Sequence, residues 1–342
     1  MAVTLLQALT KRNPALENFA HEGSNTTSPD WKKVENWRPW KEFNFKNLLS
    51  VYQDALAVTG DPPELEHACD YDREIWDEHS LDIFLVRFIF PAVNWALNQA
   101  APTLGWGNKS IYLAPGSWTG MSDWALVSKE QMPAGYQNLL PGDTKLSNKW
   151  RPEMRESRND YTRYQWSLPV SQVSSYALDS GCRYGFIITD LQLIVLRFSR
   201  EPIGQGLALS RSRRQPQQTH QRIASGSTDV SSQFEAMSFE SSGAASYASG
   251  NHNDREYAPP EYVIIPWDAH GEKLTMKMAL FCLCLMAAGG EGKIDVSYPP
   301  LDSWRSDMQG FRHNASGRFL EILPIDAVIF NSREAEPGVS QT

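Results

Sequence analysis

Asp123 is followed twenty residues later by Asp143-Thr144-Lys145, in the segment LLPGDTKLSNKW. Strand side chains alternate with period two, so an Asp-x-Lys triplet places both charged groups on one face, with Thr144 and Leu146 on the other. A carboxylate and an ammonium side by side, joined by a second carboxylate from the preceding strand, can hold a divalent metal and activate a water. Such an ion needs two or three hard carboxylate oxygens facing one spot, with positions left open for water and substrate. Taken singly, each element has a plainer reading. Asp-x-Lys is then a solvated strand face, and Asp123 a turn or cap residue.

These residues need elements to position them. A helix is expected from near Asp72 to about Gln99, with apolar Ile75, Leu81, Phe84, Leu85, Phe88 and Ile89 at roughly helical spacing and a kink at Pro91. Glu74 lies on its polar face. Residues 104–150 alternate short apolar runs with Gly/Pro/Ser turns and read as two or three strands. Ser167 to Asp179 reads as a helix, with Ser167 as N-cap and Pro169 in its first turn. On it, Gln172 and Tyr176 are four apart and share a face. RYGFIITDLQLIVLRF reads as two strands split at Thr189-Asp190, YVIIPW as a buried strand, and EKLTMKMALFCLCLMAAGG as a helix closed by Gly289-Gly290. That last helix carries Lys273 and Lys277 and is too short for a membrane span. RFLEILP is a late strand-like run.

Domain limits follow from composition. Residues 1–60 read as an N-terminal helical and polar extension, 65–200 and 258–290 as the core, and 291–342 as a C-terminal extension. The segment 203–257 is rich in Ser, Gly, Gln and Arg and reads as a disordered insertion, because it offers too little apolar surface to offset its ordering entropy. Arg211, Arg213, Arg214 and Arg222 make a basic run within it, either a solvated linker or an arm touching phosphates.

The chain has 342 residues, 41% of them hydrophobic, with 12 tryptophans, which suits a globular fold. Its net charge of −8 gives no global drive toward nucleic acid. Cys69, Cys182, Cys282 and Cys284 show no zinc-ligand spacing and read as reduced structural thiols. The start, MAVTLLQALTKRNP, lacks the apolar run and cleavage site of a signal peptide, so an intracellular (nuclear or cytoplasmic) protein is expected. The sequons at Asn25, Asn108 and Asn314 are what chance supplies. There is no H-E-x-x-H, no phosphate-binding glycine loop and no G-x-S-x-G elbow, which argues against a zinc hydrolase, a nucleotide-binding fold and serine catalysis.

Taken together, Glu74, Asp123, Asp143-x-Lys145 and Gln172-x-x-x-Tyr176 resemble the PD-(D/E)XK nuclease superfamily, with the nearest likeness to fungal proteins described as PD-(D/E)XK nuclease-like. SDW at 122–124 is similar to that group's Pro-Asp-Trp, with Ser122 in place of a proline that does no chemistry. LPGDTKLSNKW resembles its second catalytic strand and RYGFIITDLQLIVLRF the paired strands after the helix. The likeness covers about residues 65–290, broken by the insertion. It implies an α/β (α+β) fold, restriction-endonuclease-like, with a central mixed sheet flanked by helices. It also implies metal-dependent hydrolysis of phosphodiester bonds in nucleic acid, DNA or RNA, with Mg²⁺ or Mn²⁺ as cofactor. Asp123, Asp143 and Glu74 would be metal ligands, and Lys145 would orient or help deprotonate the attacking water. Gln172 and Tyr176 resemble the Gln-x-x-x-Tyr of the RecB-like branch and would position the nucleic acid strand. Asp72, Asp77 and Glu78 lie close enough to Glu74 that the helical acid could be any of them. The alternative is a catalytically silent nuclease-like binding or regulatory module that keeps the fold.

Overall fold

Seven strands form the central sheet: β1 (Arg38–Pro39), β2 (Ile111–Pro115), β3 (Trp124–Ser128), β4 (Gly142–Thr144), β5 (Tyr184–Ile188), β6 (Gln192–Arg197) and β7 (Glu261–Pro266). Their spatial order is β1-β7-β6-β5-β4-β3-β2. The sheet is mixed: β4 runs parallel to β5 and β1 parallel to β7, and the other neighbours are antiparallel. This computed structural model describes residues 2–64, 67–104, 110–119, 122–128, 136–201, 257–289 and 292–330. The Arg-rich segment 203–257, apart from Tyr257, lies outside the described residues, as do Asn108 and Gly290.

Alternation along the central strands divides two cores. Phe186 and Ile188 of β5, with Leu193 and Val195 of β6, face a cluster built on α1 (Leu5–Leu9), α2 (Glu78–Phe84), α3 (Phe90–Ala100) and α5 (Met276–Ala288). Ile187, Ile194 and Leu196 face the other way, toward α4 (Asp160–Ser180) with Trp150, Trp166, Val170 and Val173. Helices therefore flank both faces of a mixed α/β sheet, as the period-two pattern of buried strands requires.

The expected helix from Asp72 to Gln99 is interrupted at its start. A single turn, Asp70–Arg73, ends at Glu74, which is extended and pairs with Glu17 in a two-stranded parallel ribbon, Glu17–Asn18 with Glu74–Ile75. The helix restarts at Glu78 because Asp77, in extended backbone, caps it by accepting the Ser80 N–H. From there it is continuous to Ala100, and Pro91 is absorbed by a π turn, Leu85–Ile89, in which Phe90 N–H reaches back to Leu85 O. This helix is long and apolar enough by composition to cross a membrane, yet 61% of its most apolar stretch is buried within the protein.

The helix carrying Gln172 begins at Asp160, capped by Asn159, rather than at Ser167, so Pro169 stands in its middle. A mid-helix proline removes the hydrogen bond to the carbonyl four residues back, a defect of about 3 kcal/mol. Here that carbonyl, Gln165 O, accepts from Asn25 Nδ2 (3.1 Å) and the next, Trp166 O, from Trp150 Nε1 (2.8 Å). Asn25 is thus a buried helix-supporting residue.

Residues 1–60 are not an appendage, since the described residues before 201 and after 256 belong to one compact unit. β1 extends the main sheet, and Trp37 and Trp40 are buried in its two cores. The last described segment forms a three-stranded antiparallel sheet, β8 (Trp304–Asp307), β9 (Gly310–His313) and β10 (Phe319–Leu320), in which RFLEILP supplies only two strand residues. All four cysteines are free, Cys69 exposed and the others buried.

Candidate functional site

The site forms where β3 and β4 part. The two strands are paired only at Trp124 and Gly142. Gly142 lies over the Phe186 ring, and a Cβ there would fall 2.1 Å from Cζ of that ring, so only glycine allows β4 to sit this close to β5. Past the pair, the Thr144 N–H has no strand partner and takes Asp123 Oδ2 instead, at 2.9 Å. That hydrogen bond holds the exposed Asp123 beside the strand that carries Asp143 and Lys145.

The strand's two faces carry different halves of the site. Asp143 shares a face with Ile187, toward α4, where Gln172 Nε2 donates to its Oδ1 at 3.2 Å. The same amide lies 3.1 Å from Tyr176 Oη. Lys145 Nζ is 2.5 Å from Asp143 Oδ2 in an ion contact and donates a hydrogen bond to Thr144 O. Thr144 points the opposite way, toward α2. Trp124 Nε1–H donates to Thr144 Oγ1 (2.7 Å), whose own proton goes to Asp82 Oδ1 (2.6 Å). Thr144 thereby orients Asp123 with its backbone and Asp82 with its hydroxyl.

Asp143 is fully buried and Lys145 is 4% exposed. Burial raises the Asp143 carboxyl well above its ordinary range; Lys145 opposes this, and the Asp123 carboxylate adds to the rise. Burial works against the Lys145 ammonium, but the Asp143 and Glu78 carboxylates outweigh it and raise its pKa. Asp82 is pushed up to about 6, by burial first and then by the charges of Asp123 and Glu78, with the Thr144 hydrogen bond pulling the other way. Burial also raises the Tyr176 hydroxyl.

Five of the six expected residues therefore converge: Asp123, Asp143, Lys145, Gln172 and Tyr176. Glu74 does not join them. Its carboxylate accepts from the Trp76 indole N–H (3.3 Å), and it lies in the ribbon before the helix rather than on it. The acids that reach the site are Glu78 and Asp82, four apart on one face of α2. Glu78 also pairs with Lys149 at 3.3 Å. Asp82 escaped the sequence reading, although the Glu78-x-x-x-Asp82 spacing just after an Asp-x-x-Ser cap was there to find it.

The donor set fits a hard divalent cation in one respect. Asp123 and Asp143 are adjoining carboxylates, and buried Asp143 Oδ2 has no aligned hydrogen-bond donor. It is not a preformed cage: among the described residues no three His, Cys, Asp or Glu side chains stand grouped to hold a metal. Comparison of the chain with protein-family models, curated proteins and solved structures finds no match.

Proposed function

We propose that the protein is a metal-dependent phosphodiesterase acting on nucleic acid through a restriction-endonuclease-like, PD-(D/E)XK-type site. The observation that carries this reading is the meeting of Asp123, Asp143 and Lys145 with Gln172 and Tyr176 at the parting of β3 and β4. Asp123 and Asp143 would hold Mg²⁺ or Mn²⁺, with Glu78 beside Lys145 and Asp82 beside Asp123 as the neighbouring acids. Bound there, the ion would polarise a phosphoryl oxygen and lower the pKa of a water.

The chain's own groups divide the remaining work. Lys145 is kept protonated by Asp143 and Glu78, which suits a fixed positive charge facing the developing phosphate charge rather than a general base. Gln172 fixes the Asp143 carboxylate and Tyr176 in one orientation. Asp82, its pKa pushed up to about 6 by burial, is the carboxyl beside the site whose proton is most readily exchanged in mildly acidic solution.

A second reading is a nuclease-like binding module without catalysis, favoured by the complete burial of Asp143 and the lack of a ready three-ligand cluster among the described residues. The two separate cleanly. Under the first, Asp143→Ala abolishes Mg²⁺-dependent cleavage of DNA or RNA while circular dichroism stays native, and Mn²⁺ titration heat vanishes in both Asp123→Ala and Asp143→Ala. Folded wild type that shows neither cleavage nor heat overturns the enzyme reading in favour of the second.

A further inference from the structure

The helix that brings Gln172 to the site also lines a separate cavity with its first half. The cavity measures about 500 Å³ and lies between α4 and segment 27–36. That segment is fastened to the helix: Ser171 Oγ accepts the Val34 N–H at 2.9 Å and Ser175 Oγ the Lys32 N–H at 2.8 Å. Trp31 and the half-exposed Tyr164 supply aromatic walls. Of the charged side chains that line it, Lys33, Arg155 and Arg163 are cationic and Glu35 is anionic, while Glu156 and Asp160, the partners of the two arginines, are not among the lining residues.

Both arginines are pre-oriented and keep donors in reserve. Arg155 lies 5.9 Å from the Trp166 ring centroid, pairs with Glu156 and bonds Asn36. Arg163 pairs with Asp160 and donates to Ser157 O. Each guanidinium has five N–H donors, and exposed pairs such as these are weak enough for a phosphate to displace. A concave site with aromatic faces and fork-shaped cations suits a planar base joined to a phosphate.

We propose that this cavity binds a nucleoside phosphate unit, its base against Tyr164 or Trp31 and its phosphate on Arg163 and Arg155. The inference rests on the nucleic-acid reading of the neighbouring site and gives it a substrate class, single-stranded nucleic acid. Tyr164 precedes Gln172 by eight residues, about 12 Å along the helix, so the unit would belong to the same strand as the scissile phosphate.

The test is binding of labelled single-stranded oligonucleotides and of free mononucleotides, by anisotropy and calorimetry, with chelator present so that cleavage plays no part. Tyr164→Ala should weaken oligonucleotide binding about 5- to 150-fold, and Tyr164→Phe should restore it. Arg163→Ala should weaken binding and flatten the log–log salt dependence by about 0.7 between about 50 and 200 mM salt. Mononucleotide binding with the same losses identifies a free-nucleotide pocket; oligonucleotide binding alone identifies a strand subsite, and either supports the proposal. Failure of wild type to bind both probes, or variants that bind like wild type, overturns it. Cleavage by wild type that is unchanged in these variants removes the cavity from substrate binding and leaves the nuclease reading standing. Binding without cleavage does the reverse.

Discussion

Two buried carboxylates at the exit of β4 are held in opposite ways. Asp190, in the turn after β5, is 4% exposed and fully served: Ser147 donates its backbone N–H (2.7 Å) and its hydroxyl (2.6 Å), and Asn18 Nδ2 adds a third bond at 3.0 Å. Asp143, four residues before Ser147, accepts one amide at 3.2 Å, contacts an ammonium and adjoins a second carboxylate. Asp190 ties β4 to the β5–β6 turn and to the N-terminal segment. Asp143 is left short of donors next to a like charge, an arrangement that costs stability and that a ligand, a cation above all, relieves. Asp190 serves as an anchor, whereas Asp143, paired with one ammonium beside a second carboxylate, is where the proposed function puts the cation.

The comparison can be broken most forcefully at the anchor. Asp190→Ala strands at least two buried donors and should cost about 4 kcal/mol in urea unfolding, with no rescue by Mg²⁺. A loss under 1 kcal/mol would show that Asp190 is no anchor. Next comes Asp82, the acid beside the unsatisfied carboxylate. Its folded value near 6 lies above the ordinary 3.8, so between those values the folded chain keeps a proton that the unfolded chain has lost. Stability therefore falls as pH rises through that window, by about 3 kcal/mol for this group. Asp82→Asn keeps the neutral form and the acceptor for Thr144. Its advantage over wild type should be absent below about pH 4 and near its full value above about pH 6. A pH-independent difference would remove the frustrated-acid account. The smallest expected effect is at the pair itself: Asp143→Leu with Lys145→Met should leave stability equal or raise it by about 2 kcal/mol, because a buried ion pair is readily replaced by apolar groups of similar size. A large loss would make the pair a structural element like Asp190.

Much of the fold was legible because its signals are local. The hairpin split at Thr189-Asp190, the YVIIPW strand and the helix stopping at Gly289 follow from alternation and turn chemistry, and all three are present, although the YVIIPW strand is half-buried along most of its length rather than buried as expected. The first sixty residues misled because their polar, tryptophan-punctuated composition hides long-range pairing, such as Arg38 with Glu261 across β1 and β7. Pro169 misled for a related reason: the residues that repair the helix around it lie outside the helix, Trp150 in the preceding loop and Asn25 140 residues from the carbonyl it serves. Glu74 was displaced by Asp77, whose cap starts the helix four residues later and leaves Glu78 and Asp82 as the helical acids beside Lys145 and Asp123.

By itself the sequence determined the mixed α/β alternation, the shared face of Asp143 and Lys145, and the shared face of Gln172 and Tyr176, since each depends only on the 2.0 and 3.6 periods. Only the tertiary structure decided which acids meet them, that Thr144 orients Asp123 and Asp82 at once, and that Asp143 is sealed from solvent while Asp123 is not. Those outcomes depend on where β3 leaves β4 and how α2 and α4 press on opposite faces of one three-residue strand, which no local pattern encodes.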